Sequence, residues 1–411
     1  MATLELPRRQ KVTPFTIWMS GLVLLLVVGA IGMAITLIYG LQVTGLRDQV
    51  PWGLWITHDL SAIALGAGAF TFSAVVYLFR MKSFEPIARV AVFIGFLGYS
   101  SAMLVLAMDI GRPDRFWHPL IYWNVHSVLW EITWAVILYS GVLVAEVFPI
   151  VTELKFFDRY PKIRQFGHSL HRFTWVFAIF GLALSLMHQS SLGATYGVLS
   201  GRAIWFKPSL PVMFIISAVA GGMSLTLLAT LVVGLVRGVE LIPRDLIRSI
   251  ARVIAFALLG YLYLKLWDWA ATSYYSNTPG AADALARLQA TTPYTTTFWW
   301  LEIVLGGLVP AVILLWSQLR RNTAYLVSAL ALIIMGVVVN RWNVTLSGLV
   351  VPPQWSPGVA GGTLAVSYFP SVVEVMVSLG VVAYMLTAFT LGARYLPLFK
   401  KVEEQEAAQG N

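Results

Sequence analysis

Apolar residues in this chain run in long unbroken blocks, not in the three-to-four-residue alternation of a helix half-covered by water. A bilayer core needs roughly 20 apolar residues per helix. Blocks of that length fall at 15–40, 53–79, 87–110, 120–149, 172–196, 208–236, 248–272, 296–318, 323–346 and 367–393. The pattern predicts an all-α integral membrane protein of ten transmembrane helices. Three longer connections separate the blocks, at 150–171, 273–295 and 347–366, and the end "KKVEEQEAAQGN" reads as a polar tail. The first block follows an arginine pair and is too long for a cleaved signal, so it reads as a retained helix.

Composition agrees with that pattern. Apolar residues make up 58% of the 411, charged residues 11%, and mean hydropathy is +0.76, whereas a soluble domain carries about a quarter charged residues. The net charge of +9 does not point to nucleic acid, because basic loops of a membrane protein record its orientation. With ten spans both termini share one side, and most of the 28 Lys and Arg fall there. The other side holds Arg47, Arg112, Arg115, Arg202, Lys207 and Arg287, while Lys265 and Arg341 lie within spans. The asymmetry places the N- and C-termini in the cytoplasm. The chain has no cysteine, so it has no thiolate with which to form a disulfide, a zinc site or an iron–sulfur cluster of its own.

A weak internal echo adds organisation. "LSAIALGAGAFTFSAVVYLF" in the second span resembles "ISAVAGGMSLTLLATLVVGL" in the sixth. Four spans separate them, which suggests a parallel repeat of two four-helix bundles, spans 2–5 and 6–9, flanked by spans 1 and 10. Small residues there also suit plain close packing of helices. The expected units are a cytoplasmic segment 1–14, a peripheral helix and outer loop 15–52, a first bundle 53–199, a second bundle 200–346, an outer loop and last helix 347–395, and a cytoplasmic tail 396–411.

Ionisable groups inside a membrane are costly, so each is a candidate functional group. His58 and Asp59 open the second span, Asp109 closes the third, and Arg112, Asp114, Arg115, Trp117 and His118 follow it. His126 and Glu131 are expected in the first turns of the fourth span, and His188 toward the outer end of the fifth. All are expected at one depth, near the outer face of the first bundle. Three histidines beside carboxylates suit a ligand whose redox change moves protons, since a His with a carboxylate partner can accept a proton and pass it on. Trp117, Trp123, Trp130 and Trp134 offer flat apolar walls, although such residues are also ordinary interface anchors.

A second polar set comprises Lys265, Asp268, Glu302, Arg341 and Glu374. Lys265 and Asp268 are one turn apart and suited to pair. The set reads either as an ion-pair network that fixes helix packing or as a proton path. A b-type haem would need axial histidines from facing helices. The outer cluster offers a pair, whereas the inner side has only His168 and His171. No local spacing of metal ligands is present, and a transporter's inverted repeats with helices broken at the midplane do not match a parallel echo.

The stretches "PWGLWITHDLSAIALGAGAF", "MDIGRPDRFWHP", "NVHSVLWEITWAVILYSGVLVAEVFP", "MHQSSLGA" and "NRWNVTLSG" resemble the NrfD/PsrC family of quinone-interacting membrane subunits (polysulfide reductase membrane subunit). Within it they resemble the ten-span branch typified by HybB-type hydrogenase membrane subunits. The likeness covers roughly residues 15 to 395. It implies two four-helix bundles and a quinone or quinol, menaquinone or ubiquinone, taken as exchangeable substrate, with no haem or iron–sulfur centre in the chain. It implies a site near the positive side of the membrane, next to a periplasmic four-cluster ferredoxin-like iron–sulfur subunit. Beyond that stands a catalytic subunit: a hydrogenase, a molybdopterin enzyme or a multihaem cytochrome. Carried over by motif, the site is His58, Asp59, Asp109, Arg112, His126, Glu131, His188 and Gln189, with Trp117 beside them. The expected protein is a subunit of a quinone oxidoreductase complex in a bacterial or archaeal cytoplasmic membrane, its active face periplasmic. The competing expectation is a membrane anchor or an ion-conducting subunit without quinone chemistry.

Overall fold

A computed structural model describes residues 13–81, 84–275, 280–290, 293–350 and 367–399. The terminal segments with Arg8, Arg9, Lys11, Lys400 and Lys401, Lys82, the His171 side chain and most of the expected 347–366 loop lie outside the described residues. Among the described residues, ten helices are long and apolar enough to cross a membrane. In chain order the helices are α1 (Pro14–Tyr39), α2 (Leu54–Leu78), α3 (Glu85–Asp109), the short α4 (His118–Ile121), α5 (Val128–Thr152), α6 (Pro161–His171) and α7 (Thr174–Gly197). Then follow α8 (Leu210–Arg237), α9 (Arg244–Ala270), α10 (Ala281–Ala290), α11 (Val309–Leu315), α12 (Ser317–Arg321), α13 (Thr323–Val350) and α14 (Val372–Tyr395). A π-helical stretch, Thr296–Leu308, runs into α11 and completes the eighth span. No strand occurs among the described residues beyond an isolated bridge between Arg47 and Val50.

Helices α2, α3, α5 and α7 pack together as one bundle; α8, α9, α13 and the π stretch with α11 form the second. The two meet chiefly where α2 crosses α8. Small residues make that crossing possible. A Cβ on Gly68 would overlap the backbone of Ala218, and one on Gly222 would overlap Gly68 and Ala69. Between helices in lipid, close backbone approach supplies the dispersion contacts that a hydrophobic driving force supplies in water. These residues lie in the two stretches that echo one another, so the echo coincides with the inter-bundle contact.

The outermost helices do not flank the two bundles on opposite sides. α1 pairs with α14, Gly29 lying against Gly380, and the pair leans on the first bundle through α3. Their remaining faces carry exposed Leu24, Ile38, Val372 and Leu379, as suits lipid contact.

The fourth span begins at Val128, not at 120. Tyr122 leaves α4 in an extended conformation. Ser127 then starts α5 by accepting a hydrogen bond from the Trp130 backbone N–H at 3.3 Å, which satisfies one of the first-turn donors a helix leaves unpaired. His126 is therefore a loop residue, exposed, with its backbone N–H 3.3 Å from Asn124 Oδ1.

Candidate functional site

The rim of the first bundle is organised by Glu374, near the start of α14. Its Oε2 accepts hydrogen bonds from the backbone N–H of Gly45 at 2.6 Å and of Ser371 at 2.8 Å, and its Oε1 accepts one from Tyr368 Oη at 2.5 Å. Ser371 and Glu374 form a reciprocal capping box, the arrangement that satisfies two first-turn donors together. Tyr368 Oη in turn accepts the Leu54 N–H at 2.8 Å, and the fully buried Trp55 donates its Nε1–H to the Glu374 carbonyl at 3.1 Å. Burial and the Glu374 carboxylate raise the Tyr368 phenol well above its ordinary value, so it remains a donor. One carboxylate thus ties the α1–α2 connection, the start of α2 and the start of α14. Gly53 permits it, because a Cβ there would run into the Tyr368 ring.

Inward from that rim lie polar atoms that protein contacts leave unsatisfied. Asp59 lies on α2 and Asp109 at the end of α3. An Oδ1 of each aspartate is buried without a hydrogen-bond partner among the described residues. Deeper, His188 on α7 is fully buried, with its Nδ1 2.7 Å from Tyr99 Oη on α3. Among the described residues its Nε2 has no partner, nor have the side-chain N and O atoms of the neighbouring Gln189. Tyr99 is held from behind by Tyr139 on α5, edge to face at 4.5 Å, and Tyr139 packs on Phe70 of α2 at 5.4 Å. Ser185, one turn below His188, donates to the Ala67 carbonyl at 3.2 Å and lies 3.0 Å from Thr71 Oγ1. These contacts fix α7 against α2 and with it the height of His188.

The expected single depth is corrected. Tyr99 lies ten residues before the end of α3 at Asp109, about 15 Å deeper at a rise of roughly 1.5 Å per residue. Its partner His188 lies at that level. Asp59 is five residues past the start of α2, about 8 Å in. The groups therefore form a graded series from Glu374 and Asp109 at the rim, through Asp59, to the Tyr99–His188 pair.

Other expected site residues are placed differently. His58, beside Asp59, is half-buried. Arg112 is exposed and engaged with Asp114, Nε to Oδ1 at 3.0 Å and Nη2 to Oδ2 at 3.1 Å; that pairing raises the guanidinium above its ordinary pKa and lowers the carboxyl. Trp117 donates to the Asp114 carbonyl at 3.0 Å and meets the His118 ring edge to face. They and the exposed His126 belong to the connections after α3 and before α5, not to the bundle interior. Glu131 is exposed on α5, its Oε1 accepting the Ser191 hydroxyl at 2.5 Å, one turn above His188. Trp123, Trp130 and Trp134 cluster with centroids 5.1–6.3 Å apart, and Trp130 and Trp134 both donate to the Pro119 carbonyl.

The second polar set splits. Lys265 does not pair with Asp268; its Nζ lies 2.7 Å from Glu302 Oε1, while Asp268 binds Lys207 Nζ at 2.9 Å and Ser209 at 3.2 Å. Lys265 and Asp268 are three residues apart, about 60° around the helix, and facing elements claim each separately. Glu302 also accepts from Tyr261 at 2.8 Å, Asn340 at 3.0 Å and Asn343 at 2.7 Å. Arg341, fully buried, donates to Asn340 Oδ1 at 2.5 Å and Ser217 Oγ at 3.0 Å and stacks 3.7 Å over the Phe214 ring. Glu374 takes no part, because its carboxylate serves the first bundle's rim.

Several members were not singled out from sequence: Tyr99, Ser191, Tyr368, and Asn340 with Asn343. Tyr99 carried a weak signal, a phenol mid-span with no charge to draw notice. Among the described residues, no group of three or more His, Asp and Glu converges as for a metal ion.

The model for polysulphide reductase, NrfD, matches residues 42–353. The chain belongs to the NrfD family. It is 33% identical to the menaquinone reductase integral membrane subunit of Nitratidesulfovibrio vulgaris, over 96% of this chain and 94% of that one. It is 26% identical to the Hdr-like menaquinol oxidoreductase integral membrane subunit of Archaeoglobus fulgidus, over 94% and 95%. It is 27% identical to the probable Ni/Fe-hydrogenase 2 b-type cytochrome subunit of Escherichia coli, over 90% and 89%. The NrfD match spans both bundles, and it encloses Asp59, Asp109, His188 and Glu302 but not Glu374. The rim clamp thus draws its carboxylate from outside the matched segment.

Proposed function

We propose that this NrfD-family chain is the quinone-interacting membrane subunit of a respiratory oxidoreductase. In this reading it passes electrons between the quinone pool and an iron–sulfur partner subunit at the outer face of a cytoplasmic membrane. One observation carries the reading: on three helices of one bundle, Asp59, Asp109, His188 and Gln189 hold buried polar atoms that the described residues leave unpaired. Such an atom costs about 1–3 kcal/mol when left without a partner, so a set of them marks a place built for a polar ligand or the protons it exchanges. The names of the relatives, a menaquinone reductase and a menaquinol oxidoreductase subunit, support menaquinone as that ligand.

A quinol yields two electrons and two protons on oxidation, and a quinone takes them back on reduction. His188 Nε2 is the group free to exchange a proton, since Tyr99 occupies Nδ1. Asp59 lies between that imidazole and the rim, where Asp109 ends α3, and the two supply steps toward water. Electrons pass to or from the iron–sulfur subunit docked over the cap of Arg112, Trp117 and His126, whose exposure suits a protein contact. The crowding of Lys and Arg at the opposite end supports placing that cap outside. Lys265, Glu302 and Arg341 receive a packing role, because Glu302 meets a donor at each oxygen.

The test is performed on the purified complex. An absorbance spectrum without a haem band from this chain is expected, with about one quinone extracted per complex. That quinone is lost in Asp59→Asn or Asp109→Asn while the subunits stay together. A reduced-minus-oxidised b-haem band that disappears with His58→Ala or His188→Ala would overturn the assignment.

A further inference from the structure

At the end of the second bundle opposite the cap, the helices part. A cavity of about 710 Å³ opens between α8, α9, α12 and α13. Its origin is local. α8 ends at Gly238, whose φ of 71° is left-handed, and Val239 N–H returns to the Gly234 carbonyl at 3.1 Å; glycine takes that conformation without the Cβ penalty. On the facing side the eighth span breaks at Trp316, which is extended, and α12 forms a separate turn before α13. Two abrupt ends facing each other leave the gap.

Its lining is divided. Leu231, Leu241, Ile247 and Leu326 supply an apolar wall, and Glu240, Arg244, Arg248, Arg320 and Arg321 line the same cavity. Charge is only partly balanced there. Arg244 is engaged by Glu240 at 2.5 Å and Arg248 by Asp245 at 3.1 Å, but no described carboxylate pairs with Arg320, Arg321 or the neighbouring Arg252. Arg320 donates from one Nη to the Leu314 carbonyl, and its Nε is buried without a partner among the described residues. Desolvation, and then the guanidiniums of Arg252, Arg248 and Arg321, lower its pKa from the ordinary arginine value.

We propose that this cavity binds an anionic phospholipid, its phosphodiester held by Arg248, Arg320 and Arg321 and its acyl chain laid along the wall of Leu231, Leu241, Ile247 and Leu326. Guanidinium forks match phosphate oxygens in geometry and charge, and basic pockets between membrane helices suit anionic headgroups. The apolar wall selects the lipid over a free phosphate, because a small soluble anion would leave that surface uncovered. Adjoining residues Leu235 and Val236 are strongly exposed, so the cavity is continuous with a face suited to acyl chains. The proposal is independent of the redox reading.

The full chain in nanodiscs tests it without any substitution. Arginines are modified with phenylglyoxal and mapped by mass spectrometry, in phosphatidylcholine with and without phosphatidylglycerol, and in phosphatidylcholine with inorganic phosphate. Expected is a several-fold slowing at Arg320 and Arg321 with phosphatidylglycerol only, while the exposed Arg159 reacts at nearly its former rate. Equal slowing at Arg159 would reveal general surface attraction and overturn the site. Equal protection by inorganic phosphate would make it a soluble-phosphate site, and no protection would remove it. As a second readout, native mass spectra of the Arg320→Gln/Arg321→Gln chain are expected to lose the retained lipid that the wild type carries; retention unchanged counts against the proposal.

Discussion

Tyr99 Oη lies 2.7 Å from His188 Nδ1, a contact between α3 and α7 deep in the first bundle. It leaves Nε2 as the imidazole nitrogen without a partner among the described residues. With Nδ1 engaged, Nε2 alone can exchange a proton, and Tyr139 behind Tyr99 keeps the phenol from turning away.

Replacing Tyr99 by Phe is expected to leave the complex assembled and to lower quinone-linked turnover by about 100-fold or more, in keeping with the size of general acid–base effects. Turnover and subunit composition measured on one preparation check it. Wild-type turnover in the variant would remove Tyr99 from the positioning role.

Asp59→Asn and Asp109→Asn keep shape and remove an ionisable group from two side chains whose Oδ1 is buried without a partner among the described residues. Thermal stability of each is expected to equal or exceed wild type, while turnover falls at least tenfold. Activity falling in step with stability would show a structural role instead.

Glu374→Gln is expected to loosen the rim. A neutral amide accepts only through its one oxygen, yet Gly45, Ser371 and Tyr368 all donate to this side chain. The loss is about 1.5–3 kcal/mol for a charged acceptor, read as a lowered unfolding temperature. Proteolysis in the connection around Gly45 is expected to quicken.

Breaking the Lys265–Glu302 pair, buried on both sides, tests the packing role. Lys265→Met alone leaves a buried carboxylate and is expected to cost about 3–5 kcal/mol, whereas Lys265→Met with Glu302→Leu recovers much of it. Unfolding in mixed micelles gives the comparison. A proton path would instead show normal stability and altered pH dependence of turnover in both variants.

Gly222→Leu is expected to abolish the folded chain, since Gly68 and Ala69 occupy the space its side chain needs. Gly141→Leu, with open space around it, is the matched control and is expected to express normally. Detergent-extractable yield distinguishes them.

The sequence alone determined the ten spans, because hydropathy in lipid is a local property: each helix satisfies its own backbone and needs only length and apolarity. It also marked Asp59, Asp109, His188 and Glu302 as candidates, since an ionisable residue in an apolar run is conspicuous without knowledge of its neighbours. The partners were decided only by the tertiary structure. Lys265 and Asp268 sit one turn apart in sequence, yet Glu302 and Lys207 claim them, because separation around the helix axis points them at different neighbours. Glu374 reads as a member of the second polar set by its place late in the chain, but α14 folds back beside α1 and α3 and delivers it to the first bundle. Tyr99, apolar enough to pass unnoticed, becomes the residue that orients His188. Helix existence is written in single segments, whereas which side chains meet depends on rotation and register among helices far apart in sequence, and those are set by glycine contacts such as Gly68 against Ala218.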